Sequence, residues 1–151
     1  MALNKIADFK VSIVVPCKNE ASTIEYSYNE IVKSIESFNY ELIFIDDGSN
    51  DITNSLLKNI EFQNENVKVI TLAKNHGQQA AMYCGLSCAK GDCIIFLDAD
   101  LQTPLFLIEK MISKWRDGAI GVFTTYTYSS EIGFIKRTFS FWFYRIFNLF
   151  S

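Results

Sequence analysis

Short β-rich runs alternate with helical stretches along most of this 151-residue chain, and that alternation restricts the fold more than any other feature. Lys10 to Val15 is dense in β-branched residues and predicts a first strand, ended by Pro16. Ser22-Thr23-Ile24-Glu25 has the form of a capping box and opens a helix to about Phe38. The pattern continues with a strand over Tyr40 to Ile45, a helix over Ile52 to Ile60, a strand over Val67 to Leu72 and a helix over Gly77 to Ala89. Cys93 to Leu97 predicts a fourth strand, Pro104 to Trp115 a helix with proline in its first turn, and Ile120 to Tyr126 a fifth strand. Strands joined by helices pair in parallel through right-handed crossovers. The expected fold class is therefore α/β, a Rossmann-like, mostly parallel sheet covered by helices.

In such a sheet the loops after successive strands gather on one rim, where ligands bind. Here all four loops are polar or acidic. They are Pro16-Cys17-Lys18-Asn19-Glu20, Asp46-Asp47-Gly48-Ser49-Asn50-Asp51, Lys74-Asn75-His76-Gly77-Gln78-Gln79, and the segment after Leu97, Asp98-Ala99-Asp100-Leu101-Gln102. Any one of them alone reads as an ordinary turn or helix entry, and His76 alone as a surface residue. In the fourth, two carboxylates one residue apart follow a run of four large apolar residues, Ile94 to Leu97. Like charges that close repel unless a cation lies between them, and divalent metals with oxygen ligands commonly also hold substrate phosphates. No Gly-x-Gly-x-x-Gly follows the first strand and no Walker loop is present, so the sheet lacks the loops of dinucleotide and P-loop sites.

Composition narrows the class further. The hydrophobic share of 49% with 21% charged residues argues for a folded domain, and a net charge of −3 argues against general nucleic-acid binding. Cys17, Cys84, Cys88 and Cys93 sit in or beside apolar segments without zinc-site or thioredoxin spacing, which suits buried thiols in a reducing cytosol. No secretory signal and no bilayer-length apolar run is visible. The last twenty residues differ. Lys136, Arg137 and Arg145 are unopposed by any acid from Ile132 onward, which leaves −6 on the residues before it, since the total is −3. Drawn as a helix, this aromatic segment is imperfectly amphipathic. It suits a membrane surface, or equally a helix packed on the sheet or on a further part of the protein.

Four segments carry a family resemblance: Val14-Val15-Pro16-Cys17-Lys18-Asn19-Glu20, Ile45-Asp46-Asp47-Gly48-Ser49-Asn50-Asp51, Asn75-His76-Gly77-Gln78-Gln79-Ala80-Ala81 and Leu97-Asp98-Ala99-Asp100-Leu101-Gln102-Thr103-Pro104. In this order they resemble the motifs of family 2 glycosyltransferases. The Asp-Ala-Asp-Leu-Gln form is similar to the branch of dolichyl-phosphate mannose synthases and bacterial polyprenyl-phosphate glycosyltransferases. The resemblance implies a GT-A fold, a UDP- or GDP-sugar donor, Mg²⁺ or Mn²⁺, and inversion at the anomeric carbon. By position it implies that Pro16, Lys18 and Glu20 line the nucleotide pocket and that Ile45 and Asp47 hold base and ribose. Asp98 and Asp100 would bind the metal together with Gln102, and these three with Ala99 would bind the donor diphosphate. Relatives carry an arginine just after the fifth strand where this chain reads Thr124-Thr125-Tyr126.

The acceptor is read from charge. Transfer to a sugar hydroxyl normally needs a general base, yet beyond Gln102 the only acids are Glu109, Asp117 and Glu131. A phosphate acceptor is already anionic and needs only cations to position it. Lys136, Arg137 and Arg145 would serve a polyprenyl phosphate at the cytoplasmic face of a membrane. The expected organisation is a nucleotide-sugar-binding core over residues 1–130 and a basic aromatic helix over 131–151. The C-terminus is expected to be truncated, with a homo-oligomer or a missing C-terminal part covering its apolar face. Two alternatives stay open: transfer to a saccharide acceptor in capsule or cell-wall synthesis, and a donor-binding module without turnover.

Overall fold

The computed structural model describes residues 9–124, and the chain divides into two units, Met1–Ile120 and Gly121–Ser151. The described elements all belong to the first unit. They are β1 (Lys10–Cys17), α1 (Ile24–Ile35), β2 (Asn39–Asp46), α2 (Thr53–Gln63), β3 (Val67–Thr71), α3 (Gln78–Cys88), β4 (Cys93–Phe96) and α4 (Leu107–Arg116). Among the described residues every strand pairing is parallel and the order across the sheet is β3-β2-β1-β4. The chain thus walks outward from β1 to β3, then returns to the other side of β1.

Both faces of the central strands are buried, which is why they read as continuous apolar runs. On one face Val11, Ile13 and Val15 of β1 pack with Leu42 and Phe44 of β2. They are covered by Ile24, Ile31 and Ile35 of α1, Leu57 and Ile60 of α2, and Ile108 and Ile112 of α4. The opposite face presents Val14, Ile43 and Ile45 to Ala81 of α3.

Four expectations are corrected. Pro16 does not end β1, which continues to Cys17 in register with Ile45 and Asp46. The Val14 carbonyl bonds Leu97 on the β4 side and the Cys17 carbonyl bonds Asp47 on the β2 side. By alternation Pro16 faces β4, beyond that pairing's last partners, Val14 and Phe96, so its missing N–H removes no ladder bond. The capping box does not form: Ser22 and Glu25 are exposed, and the residue before α1 is Thr23. The Thr23 hydroxyl donates instead to the Glu20 carboxylate at 2.6 Å, while the Glu20 carbonyl accepts the Thr23 and Ile24 N–H groups. Finally, residues 120–124 form no strand, and the rest of the expected fifth strand lies outside the described residues. The helix expected from Pro104 begins at Leu107, because Pro104 and Leu105 make three-residue turns with Leu107 and Ile108 first.

Candidate active site

Between β1 and β4 the order in which strands are added reverses, so the loops leaving their carboxyl ends part and open a crevice. A cleft of about 440 Å³ lies there. Pro16, Cys17, Lys18 and Glu20 line it from the end of β1, and Asp98, Ala99, Asp100 and Gln102 from the end of β4. Asn75, Gly77 and Gln78 reach it from the entry to α3, and Asp47 and Ala81 complete it. The donor- and metal-binding residues that the resemblance implies thus stand in one place, with one exception. The exception is Ile45, whose side chain is fully buried with Val14, Ile43 and Ala81 and does not line the cleft. His76 is exposed and also off the lining. Lys136, Arg137, Arg145 and Glu131, with the amphipathic segment that carries them, lie outside the described residues.

Much of the polar character of the first two loops goes into joining them. Ser49 Oγ accepts the Asn19 N–H at 2.9 Å, and the Asn19 side-chain oxygen accepts the Asn50 N–H at 2.8 Å. Thr53 Oγ1 accepts the Glu20 N–H at 2.8 Å, and Asp51 accepts from Ala21 and Thr53. Asn19 holds a left-handed backbone, φ 55°, which asparagine tolerates better than most residues. The Thr53 side-chain and backbone bonds hold the Asp51 carboxyl below its usual range.

Asp47, 4% exposed, ties in the third loop: its two oxygens accept the N–H groups of His76 at 2.7 Å and Gly77 at 2.8 Å. Gly48 beside it has φ +65°, and a Cβ there would lie 2.7 Å from backbone atoms of Lys74 and Asn75. Only glycine allows the second and third loops to approach this closely. Asp46, also buried, is consumed locally by the Ser49 N–H and the Asn54 amide.

The acidic loop is short and held. Leu97 N–H bonds the Val14 carbonyl, and Leu101, itself left-handed at φ 56°, returns its N–H to Asp98. Gln102 donates its side-chain amide to Asp100 at 2.6 Å, so it meets this site by orienting a carboxylate. From below, Ser27 of α1 donates its hydroxyl to the Ala99 carbonyl at 2.6 Å. Sequence reasoning missed Ser27; its one signal is a hydroxyl standing in the apolar stripe Ile24, Ile31, Ile35. It also assigned no role to Asn75 and Gln78, although both lie in the third rim loop.

The lining carries four carboxylates, Glu20, Asp47, Asp98 and Asp100, against one ammonium, Lys18, which has no ion-pair partner among the described residues. Burial, reinforced by Asp46, Glu20, Asp47 and Asp51, pushes the Cys17 thiol up to about 12, so it stays protonated and unreactive. Among the described residues no three His, Cys, Asp or Glu side chains form a closed metal cage. Two hard carboxylates on an open rim fit Mg²⁺ or Mn²⁺, which take one or two protein carboxylates and complete their shell with phosphate and water.

The family description "Glycosyl transferase family 2" matches residues 12–150. This fold is that of GT-A glycosyltransferases, and the chain belongs to glycosyltransferase family 2. It is 35% identical over 144 residues to a prophage bactoprenol glucosyl transferase homolog of Escherichia coli K12, covering 94% of this chain and 47% of that one. The chain spans about half the length of the curated relatives it matches. In structure it is similar to a mannosyltransferase of Pyrobaculum calidifontis in complex with GDP-Man and Mn²⁺, with a TM-score of 0.65 and 21% identity over 75% of this chain and 34% of that one. Glucosyl-3-phosphoglycerate synthase of Mycobacterium tuberculosis, in complex with Mn²⁺, UDP and glucosyl-3-phosphoglycerate, gives a TM-score of 0.58 and 24% identity, over 72% of this chain and 40% of that one.

Proposed function

We propose that this chain supplies the donor-binding half of an inverting glycosyltransferase that moves a sugar from a UDP- or GDP-sugar to a polyprenyl phosphate. The observation that carries the reading is the lining of the switch-point cleft: four carboxylates, one ammonium, and Asp98 and Asp100 side by side on an open rim. Asp98 and Asp100 would hold Mg²⁺ or Mn²⁺, with Gln102 steering Asp100 through its amide. When bound, such an ion neutralises charge developing on the departing nucleoside diphosphate. Lys18 would add a fixed positive charge beside the diphosphate. Pro16, Glu20, Asn75 and Asp47 would shape the nucleoside end, with Asp47 acting through the loop it clamps.

Among the described residues no cleft carboxylate outside the Asp98–Asp100 pair is left to act as a base, which supports an acceptor that needs none. Glu20 is engaged by Thr23 and Asp47 by two N–H groups, and Glu109 and Asp117 are exposed on or after α4, off the cleft. An acceptor that arrives as an anion needs no base. The relatives' name, bactoprenol glucosyl transferase, supports a lipid phosphate acceptor. Lys136, Arg137 and Arg145 would position it at the cytoplasmic face of a membrane. Among the described residues no helix is long and apolar enough to cross one.

Calorimetry with UDP- and GDP-sugars, with and without Mn²⁺, tests the donor reading. Binding should require the metal and should be lost when Asp98 and Asp100 are both changed to asparagine. Metal-dependent binding that survives the double change would sink the assignment. Adding polyprenyl phosphate to donor and Mn²⁺ should then yield a lipid-linked sugar.

A further inference from the structure

We propose that Ser27 is a positioning residue for the Asp98–Asp100 pair: its hydroxyl, bonded to the Ala99 carbonyl, fixes the peptide between the two carboxylates and so the direction in which both face the cleft. The inference rests on the metal–diphosphate reading of that pair.

Ser27 is 1% exposed, in the stripe of α1 that is otherwise isoleucine, and Ala99 is 5% exposed. Serine hydroxyls inside helices usually return to a carbonyl three or four residues back. Ser34 does so in α1, to Ile31, and Ser87 in α3, to Tyr83. Ser27 does not. The Thr23 carbonyl takes only its backbone N–H at 2.9 Å, while the hydroxyl crosses to a residue 72 positions away at 2.6 Å. That bond fastens the helix layer to the acidic loop from beneath. Leu101, two residues on, occupies a left-handed conformation that a leucine keeps only when its surroundings impose it. A loop so constrained holds two like charges at a set spacing before any ligand arrives. Without the hydroxyl, the Ala99 carbonyl would be buried without this partner, and the peptide would be free to rotate toward water.

The test compares Ser27→Ala with Ile31→Val, a change in the same stripe that trims packing but removes no hydrogen bond to the loop. Two readouts are taken on the whole chain: amide exchange of residues 98–102, and Mn²⁺ affinity in the presence of UDP or GDP by electron paramagnetic resonance. Ser27→Ala should speed exchange and weaken Mn²⁺ binding about tenfold, the scale for removing a group that orients a metal ligand. Ile31→Val should leave both within about twofold, and Ser27→Cys, which keeps a weak donor, should fall between. If Ser27→Ala fails to fold, the cysteine variant carries the comparison. Unchanged exchange beside normal Mn²⁺ uptake overturns the positioning role alone, as does an equal loss in Ile31→Val. A wild-type chain that takes up no Mn²⁺ with either nucleotide overturns the clamp reading, and the positioning role with it.

Discussion

Both oxygens of Asp47 are committed to the protein's own backbone, which changes what that residue is for. In sequence, Asp46-Asp47-Gly48-Ser49 reads as a turn, or by resemblance as a hand on the nucleoside. The structure adds partners 29 and 30 residues downstream, a separation no local pattern encodes. The same limit hid Ser27, whose partner is a backbone carbonyl. By contrast, the place of Asp98 and Asp100 on the rim is legible because its signal is local: charge at the end of an apolar strand. The clamp makes a prediction. Asp47→Ala leaves two N–H groups without their charged acceptor, and hydrogen bonds to charged groups contribute about 1.5–3 kcal/mol each. Part of that returns as the loop opens to water, so we expect a loss of about 2–3 kcal/mol in urea unfolding. Amide exchange at residues 75–78 should rise far more than in β1. Equal acceleration everywhere would mean that Asp47 stabilises the fold without specifically holding the third loop.

At the scale of elements, the alternation of strands and helices was readable almost throughout, because a buried parallel strand and the helix after it carry different residues. What the pattern did not carry was how α3 meets the sheet. Its sequence, Gln78 to Cys88, has small and apolar residues around most of its circumference, so no stripe names the inward face. The sheet chooses it: Ala81 and Gly85, one turn apart, are the two buried positions. A Cβ on Gly85 would lie 2.2 Å from Cγ1 of Val14, whose short β-branched side chain cannot swing away in a packed core. This close approach also sets how near the start of α3, with Gly77 and Gln78, stands to the cleft. Gly85→Ala should therefore cost about 1–3 kcal/mol by overpacking, despite alanine's better helix propensity. Because α3 must lift from β1, nucleotide affinity should fall too. A variant as stable as wild type would show that Val14 yields, and that α3 is not seated by this contact. Pro16 teaches the complementary lesson: a residue that punctuates most strands is tolerated where the neighbouring strand has already ended.

Across the whole molecule, the two rims of the sheet treat charge in opposite ways. At the carboxyl rim carboxylates gather around an open cleft. Toward the other end, Glu41 of β2 is surrounded by donors: Lys10 Nζ at 3.0 Å, and the Ser12 hydroxyl and the Lys90 N–H at 2.5 Å each. Ser12 in turn accepts the Gly91 N–H, and the Lys10 carbonyl accepts the Asp92 N–H while the Lys10 N–H donates to the Asp92 carboxylate. One carboxylate thus joins β1, β2 and the turn that brings the chain from α3 into β4, and so fixes where β4 begins. Burial alone would push the Glu41 carboxyl up, but the bonds from Ser12, Lys90 and Lys10, with the Lys10 charge, outweigh it and hold it low. A carboxyl lowered by folding stabilises the folded chain at pH above its unfolded value, about 4.3, and that contribution disappears as pH falls through the folded value. Glu41→Gln should accordingly unfold at lower temperature than wild type at neutral pH. The gap should close below pH about 4, once the wild-type carboxylate is protonated. Melting curves from neutral to acid pH measure this directly. If the two proteins run parallel across that range, Glu41 acts through shape alone, and the acid sensitivity of the fold must come from other carboxylates, Asp51 and Glu61 among them, which folding also holds low.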